Sequence, residues 1–236
     1  MNRRHDDLNP LGRWVHRNLT ALCLCGVLLA LGLVGSCMPQ SAHAADRARP
    51  VVVPEVATLY RLKIERAAAR NFGLDAPVAR LAAQIHQESA WRPRAASAYA
   101  NGLAQFTPST AAWLPQVCPA VGKPDPWDPD WSLRAQACYM AWIHKQLRPF
   151  KYAGPMSDCT HWNLALRGYN GGLSWINRER LATQRAGDDA NDWRDIERHR
   201  VRAGWAHREN TDYPRRILLR LEPAYLAAGW PGTPVC

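Results

Sequence analysis

This sequence contains no Cys-x-x-Cys pair and no His-x-x-x-His pair, so a zinc site has no ready-made ligand spacing and no metal is expected. It also has no zinc-finger spacing, no RNA-binding aromatic signature and no uninterrupted Lys/Arg block, so nucleic acid is not an expected partner. Internal repeats and low-complexity tracts are missing. Period-two alternation is scarce, which argues against a sheet protein and leaves a mainly helical fold.

What remains is an ordinary globular composition. The 236 residues are 47% hydrophobic and 21% charged, enough for one domain and an export segment. Tryptophan is abundant at 11. Its flat faces serve either as core filling or as the lining of a groove, and the count alone leaves both open. The net charge is +10, and removing the first 44 residues leaves 26 basic against 18 acidic side chains. Such a surface suits an anionic polymer, the carboxylate-bearing bacterial wall included, and it equally serves solubility.

Arg3, Arg4, Arg13 and Arg17 precede an apolar run from Leu19 to Val34, and Ala42-His43-Ala44 follows. This is the layout of a secretory signal over residues 1–44, which predicts a periplasmic protein. Two alternatives stay open. Val34-Gly35-Ser36-Cys37 resembles a lipoprotein box that would put lipid on Cys37, and the apolar run could be retained as an anchor. Only those two routes would bring the chain to a membrane. Cys23, Cys25 and Cys37 belong to this segment. Cys118, Cys138, Cys159 and Cys236 remain, an even number in an exported domain, and predict two disulfides with three pairings open.

Residues 45–57 read as a linker and 58–236 as one domain. Ala57 to Asn71 has helical spacing and stops before Phe72-Gly73. Asp75-Ala76-Pro77 predicts the start of a helix running through Val78, Leu81, Ala82 and Ile85, with Asp75 as its cap. Further helices are predicted from Thr107-Pro108, from Asp130 through Leu147, from Ser157-Asp158 through Leu166, over 173–181 and over 211–226. Ala186 to Arg208 reads as a long polar excursion.

The chemistry concentrates in Gln87-Glu88-Ser89, Gly102-Leu103-Ala104-Gln105 and Gly168-Tyr169-Asn170-Gly171-Gly172. Glu88 is a single carboxylic acid at the end of an apolar helix, before a loop punctuated by glycine. A lone carboxylate there is a candidate general acid. The plainer reading is a surface glutamate beside a capping serine.

Four segments in order carry a resemblance: 85–93 around Glu88-Ser89, 97–105 ending in Gln105, 166–172 around Tyr169-Asn170, and 209–217 beginning at Glu209. Together they resemble the soluble-lytic-transglycosylase type of lytic transglycosylase, which shares a lysozyme-like fold with goose-type lysozymes. The resemblance covers roughly 58–220 and implies a lysozyme-like helical domain with a substrate cleft. It implies cleavage of peptidoglycan glycan strands, with Glu88 as acid and then base, and no cofactor. Ser89, Gln105, Tyr169, Asn170 and Glu209 would bind or orient the saccharide, with Asn170 holding the turn before Gly171-Gly172. Tyr213 reads as packing and His86 as structural. Ala104 stands where methionine is usual, Gly168 where alanine is usual and Asn210 where threonine is usual. The first of these departures predicts a roomier cleft wall. A secretion or conjugation apparatus is an implied partner. The competing readings are a goose-type hydrolase, which would deliver water to the same bond, and a non-catalytic wall-binding scaffold.

Overall fold

The computed structural model describes residues 50–236; the apolar run, the Ala42-His43-Ala44 site and Cys37 lie outside the described residues. The stretch read as linker is part of the domain where it is described. Val51 and Val53 pack on the core, and a 3-10 turn, Glu55–Tyr60, buries Ala57 completely. That turn leads directly into α1 (Arg61–Phe72), which ends on Gly73 at φ 80°, a conformation that glycine adopts freely.

Helix α2 (Val78–Ser89) is the centre of the molecule. Every residue from Val78 to Ile85 is buried, so the helix is covered on all sides rather than along one stripe. Ala79, Ala82 and Ala83 allow neighbouring elements to approach closely. Asp75 does not cap it. Asp75 is exposed, and Pro77 occupies the cap position without a side-chain hydrogen bond. The helix start is held from elsewhere: Ala79 N–H donates to the Pro231 carbonyl at 2.7 Å.

Short α3 (Pro108–Trp113) begins as its sequence predicts, and long α4 (Pro129–Gln146) begins one residue before the expected Asp130, with Asp128 as its cap; both have oxygen-bearing caps and proline in the first turn. Thr107 Oγ1 accepts from Thr110 N–H at 3.1 Å, and Asp128 accepts from Asp130 and Trp131. Helix α5 (Asp158–Gly171), capped by Ser157, runs five residues beyond the expected end at Leu166, so Tyr169 and Asn170 sit on a helix. Helix α6 (Leu173–Arg185) follows after Gly172. The polar excursion is not featureless: it holds α7 (Trp193–Arg198) and the start of α8 (Gly204–Arg216).

The expected final helix is interrupted. Pro214, inside α8, has no N–H to continue the ladder, and residues Ile217–Leu221 form a π-helical segment before α9 (Glu222–Ala227). This segment and α9 pack against α2, while α4 packs against α1 and α5. Among the described residues there is no strand, only isolated bridges at Ala96–Asn101 and Asn101–Phe106. The fold is mainly helical, as the sequence predicts.

Disulfides join Cys118 to Cys138 and Cys159 to Cys236. The first ties the proline-rich connection to α4, and the second ties the C-terminal tail to α5. Among the described residues no helix is long and apolar enough to cross a membrane.

Candidate active site

Glu88 stands in the last turn of α2, and the chain turns sharply after it. Ala90 and Trp91 both take left-handed backbone conformations, at φ 49° and 63°. Each costs about 1 kcal/mol or more outside glycine, so the surroundings must hold them. Trp91 supplies the hold. It is fully buried, its ring stacks 5.8 Å from Tyr60 and lies 6.0 Å from Trp230, and its indole N–H donates to the Tyr225 hydroxyl at 2.5 Å. Tyr225 in turn meets His86 Nδ1 at 3.2 Å. His86 is therefore structural, and burial lowers its pKa.

Glu88 opens onto a cleft of about 350 Å³. Gln105, Tyr169, Asn170 and Glu209 line it with Glu88, so the structure gathers five of the six expected site residues. Tyr99, Phe106 and Tyr139 complete the aromatic wall. None of the described tryptophans lines it; Trp91, Trp131, Trp162 and Trp230 are core residues.

Ser89 is the exception among the expected ligands. It is 2% exposed, and its hydroxyl donates back to the Ile85 carbonyl at 3.3 Å. It does not line the cleft, and one residue on from Glu88 it points to a different face of the helix, so a saccharide contact is corrected to a local helix-end bond.

The loop after Glu88 is fixed by backbone geometry. Gly102 sits at φ +76°, and a Cβ there would lie 1.7 Å from the Pro126 carbonyl oxygen. Only glycine fits. The Gln105 amide nitrogen donates to the carbonyls of Ala95 at 3.1 Å and Gly102 at 2.8 Å, which leaves its amide oxygen to offer a ligand. Ala104 is fully buried and is not a cleft wall, so the expected extra room does not arise there. Its carbonyl instead accepts from the Tyr169 hydroxyl at 2.7 Å. Gly168 is explained by space: a Cβ would meet Leu173 Cδ2 at 3.1 Å and Ile143 Cγ2 at 3.2 Å.

Tyr213 was expected only to pack. It is 3% exposed, and its hydroxyl donates to Glu88 Oε1. Sequence reasoning missed this role. The available signal was its spacing, one turn beyond Glu209 on the same helix, which puts both on one face. Burial raises the Glu88 pKa to about 7. The Tyr213 hydrogen bond opposes that rise, and the nearby Glu209 charge adds to it. Glu88 also lies at the negative end of the α2 dipole, which works in the same direction as burial. Burial and the Glu88 charge hold Tyr169 and Tyr213 well above the usual phenol range, so both remain protonated.

Asn170 is held from behind. Its side-chain oxygen accepts from Asn210 Nδ2 at 3.0 Å, and the same nitrogen donates to the Arg167 carbonyl at 2.8 Å. Asn210 Oδ1 accepts from Arg167 Nε at 3.1 Å. Arg167 and Arg202 both pair with the fully buried Glu179. Asparagine at 210, in place of the usual threonine, joins α5 to α8 by three hydrogen bonds.

A larger hollow, of about 770 Å³, lies among Phe72, Trp142, His144, Lys145 and their neighbours. No aspartate or glutamate lines it, whereas the smaller cleft holds Glu88 and Glu209. Among the described residues no group of three His, Cys, Asp or Glu side chains is placed to hold a metal ion.

Comparison with known proteins agrees with this geometry. Residues 64–191 match the family model described as the transglycosylase SLT domain. The chain is 34% identical over 117 residues to a membrane-bound lytic murein transglycosylase F of Alcanivorax borkumensis, covering 49% of this chain and 22% of that protein. It is 36% identical over 119 residues to the protein of that name in Ectopseudomonas mendocina, covering 50% of this chain and 22% of the relative. The chain thus spans under a quarter of the length of the curated relatives it matches. The fold is similar to that of the 70 kDa soluble lytic transglycosylase of Escherichia coli. The TM-score is 0.52 at 20% identity, covering 72% of this chain and 25% of that one.

Proposed function

Since the chain belongs to the transglycosylase SLT domain family, we propose that it is a peptidoglycan lytic transglycosylase in which Glu88 acts first as general acid and then as general base. The observation that carries this reading is the state of Glu88. It is a carboxylic acid with its pKa raised to about 7 by burial, in an aromatic-walled cleft that it shares with Glu209, held by a tyrosine donor.

A catalytic group that must give and then take a proton works best with a pKa near the operating pH. Glu88 would protonate the glycosidic oxygen between N-acetylmuramic acid and N-acetylglucosamine, and the C1–O4 bond would break. The resulting carboxylate would take the proton of the muramic acid C6 hydroxyl, whose oxygen closes on C1. The product is a 1,6-anhydro sugar, no water is consumed, and Glu88 ends protonated as it began. The Tyr213 hydroxyl steadies the carboxylate between the two steps. Tyr169 donates its proton to the Ala104 carbonyl. Its oxygen lone pairs are then the part available to a developing oxocarbenium centre. Gln105, Asn170 and Glu209 would contact the saccharide.

The two disulfides suit an oxidising compartment, and the matched relatives are named as membrane-bound, so we place the protein in the cell envelope, reached by export. By the family resemblance, we infer that a secretion or conjugation apparatus is its partner.

Mass spectrometry of soluble products from purified peptidoglycan tests the reading. Products with anhydro ends from the unmutated protein and none from Glu88→Gln support it. Reducing ends would move the assignment to a goose-type hydrolase. Binding without products from well-folded protein would favour a scaffold.

A further inference from the structure

Behind Glu88 lies a buried polar chain that the proposed reaction does not itself require. Gln84 is one turn before Glu88 on α2, and Gln136 is on α4; both are fully buried. Gln136 Nε2 donates to the Leu81 carbonyl at 3.1 Å and to Gln84 Oε1 at 2.7 Å. Gln84 Nε2 donates to the Tyr213 hydroxyl at 3.2 Å and touches Met140 Sδ at 3.5 Å. Tyr213 donates to Glu88 Oε1.

The direction of every bond in this chain follows from one end. A backbone carbonyl only accepts, so the side of Gln136 that faces Leu81 must be its nitrogen. That nitrogen also faces Gln84, so Gln84 must present its oxygen there and its nitrogen to Tyr213. A hydroxyl that accepts from an amide N–H keeps its own proton for another acceptor, and Glu88 is the acceptor in reach. An amide free to flip would offer its oxygen to Tyr213 instead and draw the hydroxyl proton away from Glu88.

We propose that Gln136 is a positioning residue for Glu88: by locking the orientation of the Gln84 amide, it commits the Tyr213 proton to the Glu88 carboxylate. The proposal rests on the reading of Glu88 as the acid. It assigns a task to two buried glutamines that neither touch the cleft nor fill it. Leaving them buried would otherwise favour apolar side chains of the same volume.

The test is a pair of near-isosteric substitutions, assayed on peptidoglycan. In Gln136→Met the Gln84 oxygen loses its donor, flips and takes the Tyr213 proton. The expected result is a fall in kcat of about tenfold, the loss of one hydrogen bond to a charged group, with KM unchanged. The alkaline limb of the pH profile should move up by about one unit, because the carboxylate has lost a donor. The other titratable groups facing Glu88 are Glu209 and Tyr213 from α8 and Tyr169 from α5, with Tyr139 of α4 in the cleft wall. None of them is substituted in this variant, and of these only the Tyr213 hydrogen bond is redirected.

In the double variant Gln84→Met Gln136→Met no amide remains to divert the proton, so activity should recover to within about threefold of the unmutated protein. A packing role predicts the opposite order, with the double variant worse than the single. A Gln136→Met protein with unmutated kcat and pH profile, or a double variant no better than the single, would overturn the proposal. If Gln136→Met does not fold, Gln84→Met alone decides. It should keep most of its kcat, and a tenfold loss would mean that the Gln84 amide is needed for itself. An unmutated protein indistinguishable from Glu88→Gln would instead remove the catalytic reading on which the proposal stands.

Discussion

The phenol of Tyr213 donates its hydrogen bond to a carboxylate 125 residues earlier in the chain, that of Glu88. Opposing influences meet at that carboxylate: burial, with the Glu209 charge, drives its pKa up, and the tyrosine pulls it down. A value of about 7 is the balance, and each influence can be altered separately.

Removing the tyrosine hydroxyl tips the balance. Tyr213→Phe leaves burial in place and takes away the donor that favours the charged form, so the Glu88 pKa should rise above about 7. A hydrogen bond to a charged group is worth roughly 2 kcal/mol, so kcat should fall between about tenfold and about thirtyfold. The pH profile of kcat checks the sign: its alkaline limb moves to higher pH.

The same shift appears in stability. The folded-state pKa of Glu88, about 7, lies above the ordinary 4.5, so the folded state holds this proton more tightly than the unfolded chain. The stability this contributes is complete below pH 4.5 and is lost as pH rises through about 7. Glu88→Gln does not titrate. Relative to the unmutated protein it should gain about 3 kcal/mol between pH 4.5 and pH 8, read from denaturant midpoints at both ends of that window.

The Glu179 cluster carries a different liability. Arg167 and Arg202 are buried against one carboxylate, and neutralising it by Glu179→Gln takes their directly paired charge from both cations. Breaking a buried pair in this way costs about 3–5 kcal/mol. Arg167 also supports Asn210 and, through it, Asn170, so KM on glycan strands should rise while the pH profile keeps its shape. Unchanged thermal stability in Glu179→Gln would refute this account.

The two disulfides should differ in weight. Cys159–Cys236 closes a separation of 77 residues and Cys118–Cys138 one of 20. By loop-closure entropy, Cys236→Ser should cost about 4 kcal/mol and Cys118→Ser about 3 kcal/mol. Comparing chemical denaturation of the two variants checks the order.

Local signals were readable where they act locally. Thr107 with Pro108, and Ser157 with Asp158, marked helix starts because a cap needs only its own next three residues. Glu88, Gln105, Tyr169, Asn170 and Glu209 could be picked out by resemblance, and they line one cleft. What escaped depends on distant partners. Asp75 reads as a cap, but the first turn of α2 is satisfied by Pro231 across the molecule. Tyr213 reads as packing because nothing near it in sequence announces Glu88. Ser89 reads as a ligand because adjacency to Glu88 in sequence puts it on a different face of the helix. Tryptophan abundance could not separate core from cleft, and tyrosine forms the aromatic wall beside Glu88.

The C-terminal tail is stapled over the beginning of α2. Pro231 accepts from Ala79, Thr233 accepts from Arg80, and Cys236 closes onto Cys159. The helix that presents Glu88 is therefore finished by residues made some 150 positions later. For a chain that emerges N-terminus first, α2 stays incomplete through most of synthesis. On the proposed reading of Glu88, the cleft stays blunt until the tail has closed over that helix.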